Sequence, residues 1–533
     1  MSRAAWLAKA AGLVLAATLA FTACAPPGSE PAPSTGSSEA ATGGTLRYHL
    51  YQQPTSFDPF HALQGADGEI ASLHFRSLLR TDKDSYAGVL AKSWTISDDA
   101  KTYTFTLQDT KWSDGTPFTS ADVLWNFETY ANPKVASLFA GQLSPVAGYA
   151  DVAAGKATSL SGITAPDDHT VVITLSESNA AFLPNLAGLA IVPKHIYSSI
   201  DPEKLKGAPE FREPKVGIGP YIFSRWVTDD QIEFLPNPNS FEPHPLGHLY
   251  AQYLAADVAR AQLETGEIDI AQVASADVEA IKAGGKVTVQ MAEGKALMSL
   301  YTALDSGKLA DARVRQAITY AIDRQSIVDN VLAGNGRVVD TNLFTPSWAI
   351  PDDLVHYDYN PEKAKALLAE AGWDPNTVVN LDIVPGQADR DAVMNIVAGQ
   401  LKAVGINAKL HTLQPAELTK LVEDRKFDLL ITVLGLQLGE PGSINQRFMC
   451  KATLNVSKYC NPELDKLLTA GVATSDQSQR EKIYQDVARI LNKEVPAIPL
   501  YVANQPWGST ARVQGFDPNV GALGSAQLWN VTS

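Results

Sequence analysis

The sequence predicts an α/β protein with more than one lobe. About 490 residues follow an N-terminal leader, which is more than a single hydrophobic core usually serves. In the C-terminal half, short apolar runs alternate with segments of helical spacing, as expected for a sheet that contains parallel strands. The N-terminal half differs, because a hairpin-rich stretch interrupts it.

The N-terminus has the features of a secretory leader. Ala10–Phe21 is an apolar run beside basic residues and is too short to span a bilayer comfortably. It is followed by small residues and Cys24, an arrangement that is similar to the lipobox of bacterial lipoproteins. We therefore expect a signal peptide at 1–23 and acylation of Cys24. Residues 24–44 are rich in Pro, Ser, Gly and Thr, which predicts a flexible tether.

Composition and motifs narrow the function classes. The formal net charge is −15 and no basic stripe is visible, which argues against nucleic acid or an anionic membrane surface as a partner. No second long apolar run follows the leader, so the body is predicted to be soluble. Walker A, nucleophile-elbow and His-Glu-x-x-His motifs are missing from the sequence. We predict a non-enzymatic protein without a cofactor or a metal site.

Two cysteines remain once Cys24 is assigned to lipid. Cys450 and Cys460 lie close together in the sequence, and an extracytoplasmic compartment is oxidising. We therefore predict a disulfide between them.

Five segments of the C-terminal half predict a βαβαβ unit. The first helix has apolar residues at helical spacing, and the last segment is a continuous apolar run typical of a buried parallel strand. The predicted order is a strand at Val379–Val384, a helix at Asp391–Val404, a strand at Ile406–Leu410, a helix from Pro415 and a strand at Phe427–Leu434.

This unit predicts where a ligand would bind. Open parallel sheets bind ligands beyond the carboxyl ends of their strands. Pro385–Arg390 follows the first of these strands, and Gly435–Gly442 follows the third. Both loops are therefore candidate binding loops.

Local signals define further elements. Asp311 and Asn360 are each placed to cap a helix that begins at the next residue. Thr102–Leu107 alternates as a strand, and Ser113–Pro117 predicts a tight turn before a helix that starts around Ser120.

Several longer segments carry a family resemblance. They are Leu90–Trp94, Lys101–Phe105, Asp114–Val123, Val192–His195, Gly217–Tyr221, Gly266–Ile270 and Val314–Arg324. Together they resemble the family 5 solute-binding proteins of ABC importers, which bind peptides, nickel complexes and opines. The resemblance covers essentially the whole chain after the tether.

The resemblance implies a periplasmic-binding-protein-like α/β fold of type II, with two lobes that are joined by a two-strand hinge and close over a ligand. It implies a first lobe at 45–295 with an insert at about 76–190, a second lobe at 296–500, and a return of 501–533 to the first lobe. It also implies that Arg315 fixes its helix and does not contact ligand.

The functional expectation follows from the same family. The chain would be a monomeric substrate-binding subunit that is anchored through Cys24 to the outer face of the cell membrane. It would capture a small peptide or peptide-like solute and deliver it to permease and ATPase subunits. The alternatives are a receptor for an opine, a sugar conjugate or a metal chelate, and a stand-alone sensor or chaperone.

The resemblance also suggests ligand contacts. Relatives that bind free peptides commonly hold the ammonium group with an acidic residue at the position of Gln437. Either Glu440 takes over this role, or the ligand has no free ammonium there; we favour the second, because Gln offers a neutral donor and acceptor. Arg390 is the candidate for a ligand carboxylate. The opposite wall is expected to contain Asp67, Glu69, Phe139 and Asn185.

Overall fold

A computed structural model describes the chain from residue 43 to residue 532. The residues within this span that it does not describe are 63–64, 83–84, 384–387, 415–416, 419–420, 423, 425, 436–439, 453 and 521–522. The predicted leader, Cys24 and Gln437 therefore lie outside the described residues. Across the described ranges, no helix has both the length and the apolar character that crossing a bilayer requires.

The β-strands are numbered in chain order. They are β1 Gly44–Leu50, β2 Arg76–Ser77, β3 Leu79–Asp82, β4 Ser85–Gly88, β5 Ala91–Ile96, β6 Thr102–Leu107, β7 Ile163–Asp167, β8 Thr170–Thr174, β9 Ala190–Ile191, β10 Tyr221–Val227, β11 Gln231–Pro236, β12 Leu246–Tyr253, β13 Ile270–Gln272, β14 Val287–Ala292, β15 Ala296–Thr302, β16 Gly336–Val338, β17 Val378–Ile383, β18 Asn407–Thr412, β19 Leu429–Gly435, β20 Ala497–Ala503, β21 Gln505–Thr510, β22 Val513–Gln514 and β23 Asn530–Val531.

The α-helices are numbered in the same way. They are α1 Gly65–His74, α2 Ser120–Ala131, α3 Tyr149–Ala153, α4 Leu183–Ala187, α5 Lys194–Tyr197, α6 Ala256–Thr265, α7 Val278–Gly284, α8 Ala312–Ala321, α9 Arg324–Asn330, α10 Pro361–Glu370, α11 Ala388–Ala403, α12 Asn445–Phe448, α13 Pro462–Ala473 and α14 Gln477–Glu494. Short 3₁₀ helices include Ala140–Leu143, Pro441–Ile444 and Leu523–Leu528.

Two mixed sheets organise the protein. The first has the strand order β10-β11-β12-β1-β13-β21-β14, in which β1 is parallel to both of its neighbours. The second has the order β16-β20-β15-β19-β17-β18, in which β17 is parallel to β18 and β19. A separate antiparallel sheet, β5-β6-β8-β7, belongs to the chain between β1 and β10.

Each large sheet has its own hydrophobic core. The buried clusters around the first sheet draw on residues 46–292 and 507–531, whereas those around the second draw on residues 297–503. Because each cluster excludes water independently, the protein has two lobes that can change their relative position without exposing either core.

The chain passes between the two sheets at two adjacent places. β14 of the first sheet leads into β15 of the second, and β20 of the second leads back into β21 of the first. The two crossings touch, because the Gly294 N–H donates a hydrogen bond to the side-chain oxygen of Asn504 at 3.2 Å. These two segments form the hinge of an α/β fold of the type II periplasmic-binding-protein class, as the family resemblance implied.

Gly294 allows the close approach of the two crossings. A Cβ atom at this position would lie 2.3 Å from the Ala503 carbonyl oxygen, which is backbone and cannot rotate away. We expect Gly294→Ala to lower the free energy of unfolding by about 1–3 kcal/mol, measured by urea denaturation.

Gly284→Ala is the matched control for this substitution. Gly284 ends α7, and an added Cβ there would meet no atom within 4 Å. The control should change stability by at most about 1 kcal/mol, in the stabilising direction. Equal losses from the two substitutions would contradict the crowding at the hinge.

The predicted C-terminal unit is confirmed with shifted boundaries. β17, α11, β18 and β19 correspond to four of the five predicted segments, with α11 starting three residues earlier than predicted. Of the helix predicted from Pro415, residues 417–418 and 421–422 are helical, and Pro415 itself is not described. β19 is parallel to β17 but antiparallel to β15, and Val433 is 45% exposed, so this strand is less buried than its apolar run suggested.

Local signals elsewhere are also confirmed. The Asp311 and Asn360 side chains accept hydrogen bonds from the first turns of α8 and α10. Gly115 has φ +89° in the predicted turn before α2, a backbone conformation that glycine adopts without steric cost. Cys450 and Cys460 form the predicted disulfide, with their Cα atoms 4.3 Å apart.

Candidate ligand-binding cleft

A cavity of about 490 Å³ lies in the first lobe beside the hinge. Its size is within the range of small-molecule sites, roughly 300–1,000 Å³. One wall is α1, and the facing walls come from Phe139, from the end of α4 and from C-terminal residues at 519–520 and 524–527. Lys295 also lines the cavity from the first hinge crossing, so the cavity adjoins the segment about which the lobes would move.

Helix α1 divides its residues between the core and the cavity. Ala66, Ile70 and Leu73 are buried, whereas Gly65, Gly68, Glu69 and Ser72 line the cavity. This spacing matches the periodicity of an α-helix, in which residues three or four apart share a face. The core-facing side therefore holds the cavity-facing side in a fixed position.

Glu69 is an acidic side chain in an environment that disfavours its charge. The side chain is half-buried, and the Tyr48 hydroxyl donates a hydrogen bond to its Oε2 at 3.1 Å. Burial raises the pKa of Glu69 to about 7, although the hydrogen bond from Tyr48 acts in the opposite direction. Near neutral pH the carboxyl group is therefore divided between its acid and its anion.

The other charged side chains that line this cavity are those of Arg76, Glu242, Arg80 and Lys295. Arg76 and Glu242 form an ion pair with Nε 2.6 Å from Oε2. Arg80 lies 3.9 Å from Asp82, which is a loose contact. The Lys295 side chain is exposed, and the loss of water caused by the surrounding protein lowers the pKa of its ammonium group. Lys295 and Arg80 are thus cations that an anionic group of a ligand could approach.

A second cavity, of about 510 Å³, lies between the two lobes. Gln142 and Asn185 line it from the first lobe, and Ser443 and Gln446 line it from the second. The Asn185 amide donates a hydrogen bond to the Gln142 carbonyl at 2.8 Å. Leu138 lines this cavity and the adjacent Phe139 lines the first, so the two cavities are neighbours.

The lobes are in direct contact on the side of this second cavity. The Ala180 N–H donates to the Val472 carbonyl at 2.5 Å, and the Ser475 hydroxyl donates to the Asp98 carbonyl at 3.1 Å. These contacts join the chain between β1 and β10 to the C-terminal end of α13 and to the segment that follows this helix. The cleft is therefore closed along this edge.

Two of the predicted acidic contacts are committed to partners within the protein. The Asp67 carboxylate accepts hydrogen bonds from the Thr55 N–H and hydroxyl. The Glu440 carboxylate accepts from Arg480 at 2.6 Å and from the Gly442 N–H at 2.8 Å. This geometry argues against the explanation that Glu440 takes over the binding of an amine.

The remaining predicted contacts are placed as follows. Glu69 and Phe139 line the first cavity, and Asn185 lines the second. Arg390 is partly buried in the first turn of α11, where the sequence predicted a loop. Gln437 lies outside the described residues.

Sequence reasoning missed the contribution of the hinge. Lys295 was not predicted, because an exposed Lys between two apolar runs has the same pattern whether it faces bulk water or a cleft. The available signal was its position next to Gly294, between the last strand of one lobe and the first strand of the other. The residues that the structure describes contain no group of three or more His, Cys, Asp or Glu that could hold a metal ion.

Comparison with known proteins identifies the family. Residues 85–453 match the sequence profile of the bacterial extracellular solute-binding proteins, family 5 Middle. A putative ABC transporter peptide-binding protein of Brucella ovis is 30% identical over 483 residues, which cover 86% of this chain and 87% of the relative.

A second relative and a solved structure are also similar to this chain. A probable D,D-dipeptide-binding periplasmic protein of Escherichia coli is 30% identical over 485 residues, which cover 87% of this chain and 89% of the relative. The ABC transporter substrate-binding protein CtaP from Listeria monocytogenes has the same fold, with a TM-score of 0.81 at 23% identity, covering 92% of this chain and all of that one. The chain belongs to the bacterial extracellular solute-binding proteins of family 5.

Proposed function

We propose that this chain is the substrate-binding subunit of an ABC importer and that its ligand is a short peptide. The observation that carries the proposal is the cavity of about 490 Å³ beside the hinge of a two-lobed fold. Closure of two lobes over such a cavity removes a ligand from water, which strengthens its polar contacts. The names of the relatives from Brucella ovis and Escherichia coli support a peptide as the ligand.

The proposal includes a set of ligand contacts. Glu69 and Phe139 would line the ligand from the first lobe, and Asn185 would contact it from the second cavity. Gln437 and Arg390 remain proposed contacts from the loops of the second lobe. The proposed lobe boundaries are 45–295, with the insert at 76–190, and 296–500, with 501–533 returning to the first lobe.

The cellular setting is part of the same proposal. The chain would act as a monomer, held at the outer face of the cell membrane by lipid on Cys24, after removal of residues 1–23. It would deliver its ligand to the permease and ATPase subunits of the importer. Mass spectrometry of the protein from its native membrane should find an N-terminal Cys24 with attached acyl chains.

The peptide assignment can be tested with a peptide library. The protein, expressed without its leader and freed of ligand by unfolding and refolding, is incubated with a random library of di- to pentapeptides. Native mass spectrometry should show one peptide bound per chain, and titration calorimetry should give a dissociation constant in the micromolar range or below. Failure to retain any library member, together with tight binding of a non-peptide solute, would overturn the assignment.

A further inference from the structure

We propose that Glu69 is the anchor for a cationic group of the ligand, so that a peptide enters with its amine directed toward α1 of the first lobe. This inference rests on the proposed function and specifies its substrate class. It differs from the expectation at Gln437, because it places the recognition of an amine on the opposite lobe.

The position of Glu69 is suited to an anchor. It lies in the middle of α1, where the buried Ile70 and Leu73 fix the helix against the core. It also lines the cavity, so its carboxylate is presented by a rigid element and not by a loop. A ligand group bound there would be held in one position.

Among the described residues, the Glu69 carboxylate has a hydrogen-bond donor but no cationic partner. The donor is the neutral hydroxyl of Tyr48. Arg76, which follows α1 in β2 and lines the same cavity, is paired with Glu242. By contrast, the buried carboxylate of Glu440 is paired with Arg480. When ionised, Glu69 is thus a partly buried anion that has no cationic partner among the described residues.

The ionisable groups around Glu69 include both acids and cations. Burial and, to a smaller extent, the Glu69 and Asp67 carboxylates raise the pKa of Tyr51, which places both acids near the Tyr51 hydroxyl. Lys295 reaches the same cavity from the hinge, but the lowered pKa of its ammonium group has loss of water as its cause and no contribution from Glu69. Among the described residues, neither Lys295 nor Arg80 forms an ion pair with Glu69, so its ionised carboxylate can take a cation that the ligand supplies.

The acid–base state of Glu69 gives the inference a specific signature. With a pKa of about 7 in the free protein, most Glu69 side chains are protonated at pH 6 and most are ionised at pH 8. An ammonium group binds the ionised form, so binding at pH 6 must release close to one proton. Affinity should then fall about fivefold when the pH is lowered from 7 to 6, because the ionised fraction of Glu69 falls by that factor. A ligand that instead accepted a hydrogen bond from protonated Glu69 would bind more tightly at pH 6.

The experiment compares free and blocked peptides on three proteins. A tripeptide selected from the library and its N-acetylated form are titrated by calorimetry into the wild type, Glu69→Gln and Glu293→Gln, at pH 6 and pH 8. Gln copies the protonated state of Glu69 and should preserve the fold, which a thermal melt checks. Glu293 is an exposed acid at the hinge outside the cavity lining, and its variant controls for the loss of one negative charge.

The expected result is a loss of about a hundredfold in affinity for the free peptide in Glu69→Gln, with the control within threefold of the wild type. Acetylation should weaken wild-type binding to the same extent and have little further effect on Glu69→Gln. Wild-type binding should weaken at pH 6 with release of a proton, and this release should disappear in Glu69→Gln.

Two outcomes would overturn the inference while leaving the proposed function intact. One is a wild type that binds free peptides tightly with no loss in Glu69→Gln. The other is binding that strengthens at pH 6 or is unaffected by acetylation. A wild type that binds no peptide would instead overturn the proposed function itself.

Discussion

Glu440→Ala is expected to lower the free energy of unfolding by about 3–5 kcal/mol. Glu440 and Arg480 form an ion pair at 2.6 Å whose side chains are only 4% and 9% exposed. Removal of the carboxylate would leave the Arg480 guanidinium buried without its counter-ion, although its Nε still donates to the Gly471 carbonyl at 3.2 Å. Burial raises the pKa of Glu440 above its ordinary value, whereas the pairing with Arg480 acts in the opposite direction.

An exposed ion pair provides the comparison. Lys215 and Glu213 are 75% and 61% exposed, so Glu213→Ala should cost less than about 1 kcal/mol. Urea denaturation of both variants measures the difference. A loss below about 1 kcal/mol for Glu440→Ala would contradict a structural role and reopen Glu440 as a group available to ligand.

The Glu440–Arg480 ion pair also affects the second-lobe wall of the cleft. Glu440 caps the 3₁₀ helix Pro441–Ile444, and Gly442 in that helix would place a Cβ 3.0 Å from the Cβ of Ala181 in the first lobe. The ion pair therefore fixes a segment that the first lobe touches. We expect Glu440→Ala to weaken ligand binding as well, through a less ordered second-lobe wall.

Arg315→Met is expected to destabilise the second lobe by about 3–5 kcal/mol. Arg315 is 3% exposed, and its guanidinium donates hydrogen bonds to the carbonyls of Leu309, Ala310, Glu494 and Val495 at 2.6–3.0 Å. These carbonyls lie before α8 and at the end of α14. Methionine fills a similar volume but would leave all four acceptors without this donor.

Arg313→Met is the matched control on the same helix. Arg313 is two residues away, and its side chain is 47% exposed in a pair with Asp311. The control should lose less than about 1 kcal/mol in urea denaturation. Similar losses for both variants would show that the charge of α8 matters and that the buried hydrogen bonds do not.

Features that depend on neighbouring residues could be predicted from the sequence. The caps at Asp311 and Asn360 act within three residues, and the apolar spacing of α11 repeats every three or four residues. The hydrogen bonds of Arg315 agree with the expectation, taken from the resemblance, that it fixes its helix, and the absence of a ligand contact stays a prediction. Periodicity and capping are local properties, so the sequence records them directly.

Features that depend on residues far apart in the sequence could not be predicted. Nothing in the sequence around Glu440 indicated that Arg480 is its partner. Arg480 is forty positions away and reaches Glu440 only after α13 and α14 have packed. Val433 lies in a continuous apolar run but is exposed, because burial depends on what covers the sheet. Asp67 and Glu69 looked equivalent, and only the fold separates the satisfied carboxylate from the one that faces a cavity.

The most direct test of a ligand-binding cleft between the lobes is a crystal structure of the protein with the peptide selected from the library. We expect the peptide to be enclosed next to the hinge, with its amine at Glu69 and with second-lobe residues on its other side. A peptide bound on the outer surface, or held by one lobe alone with the cavity beside α1 unfilled, would contradict a receptor that binds its ligand by closing two lobes around it.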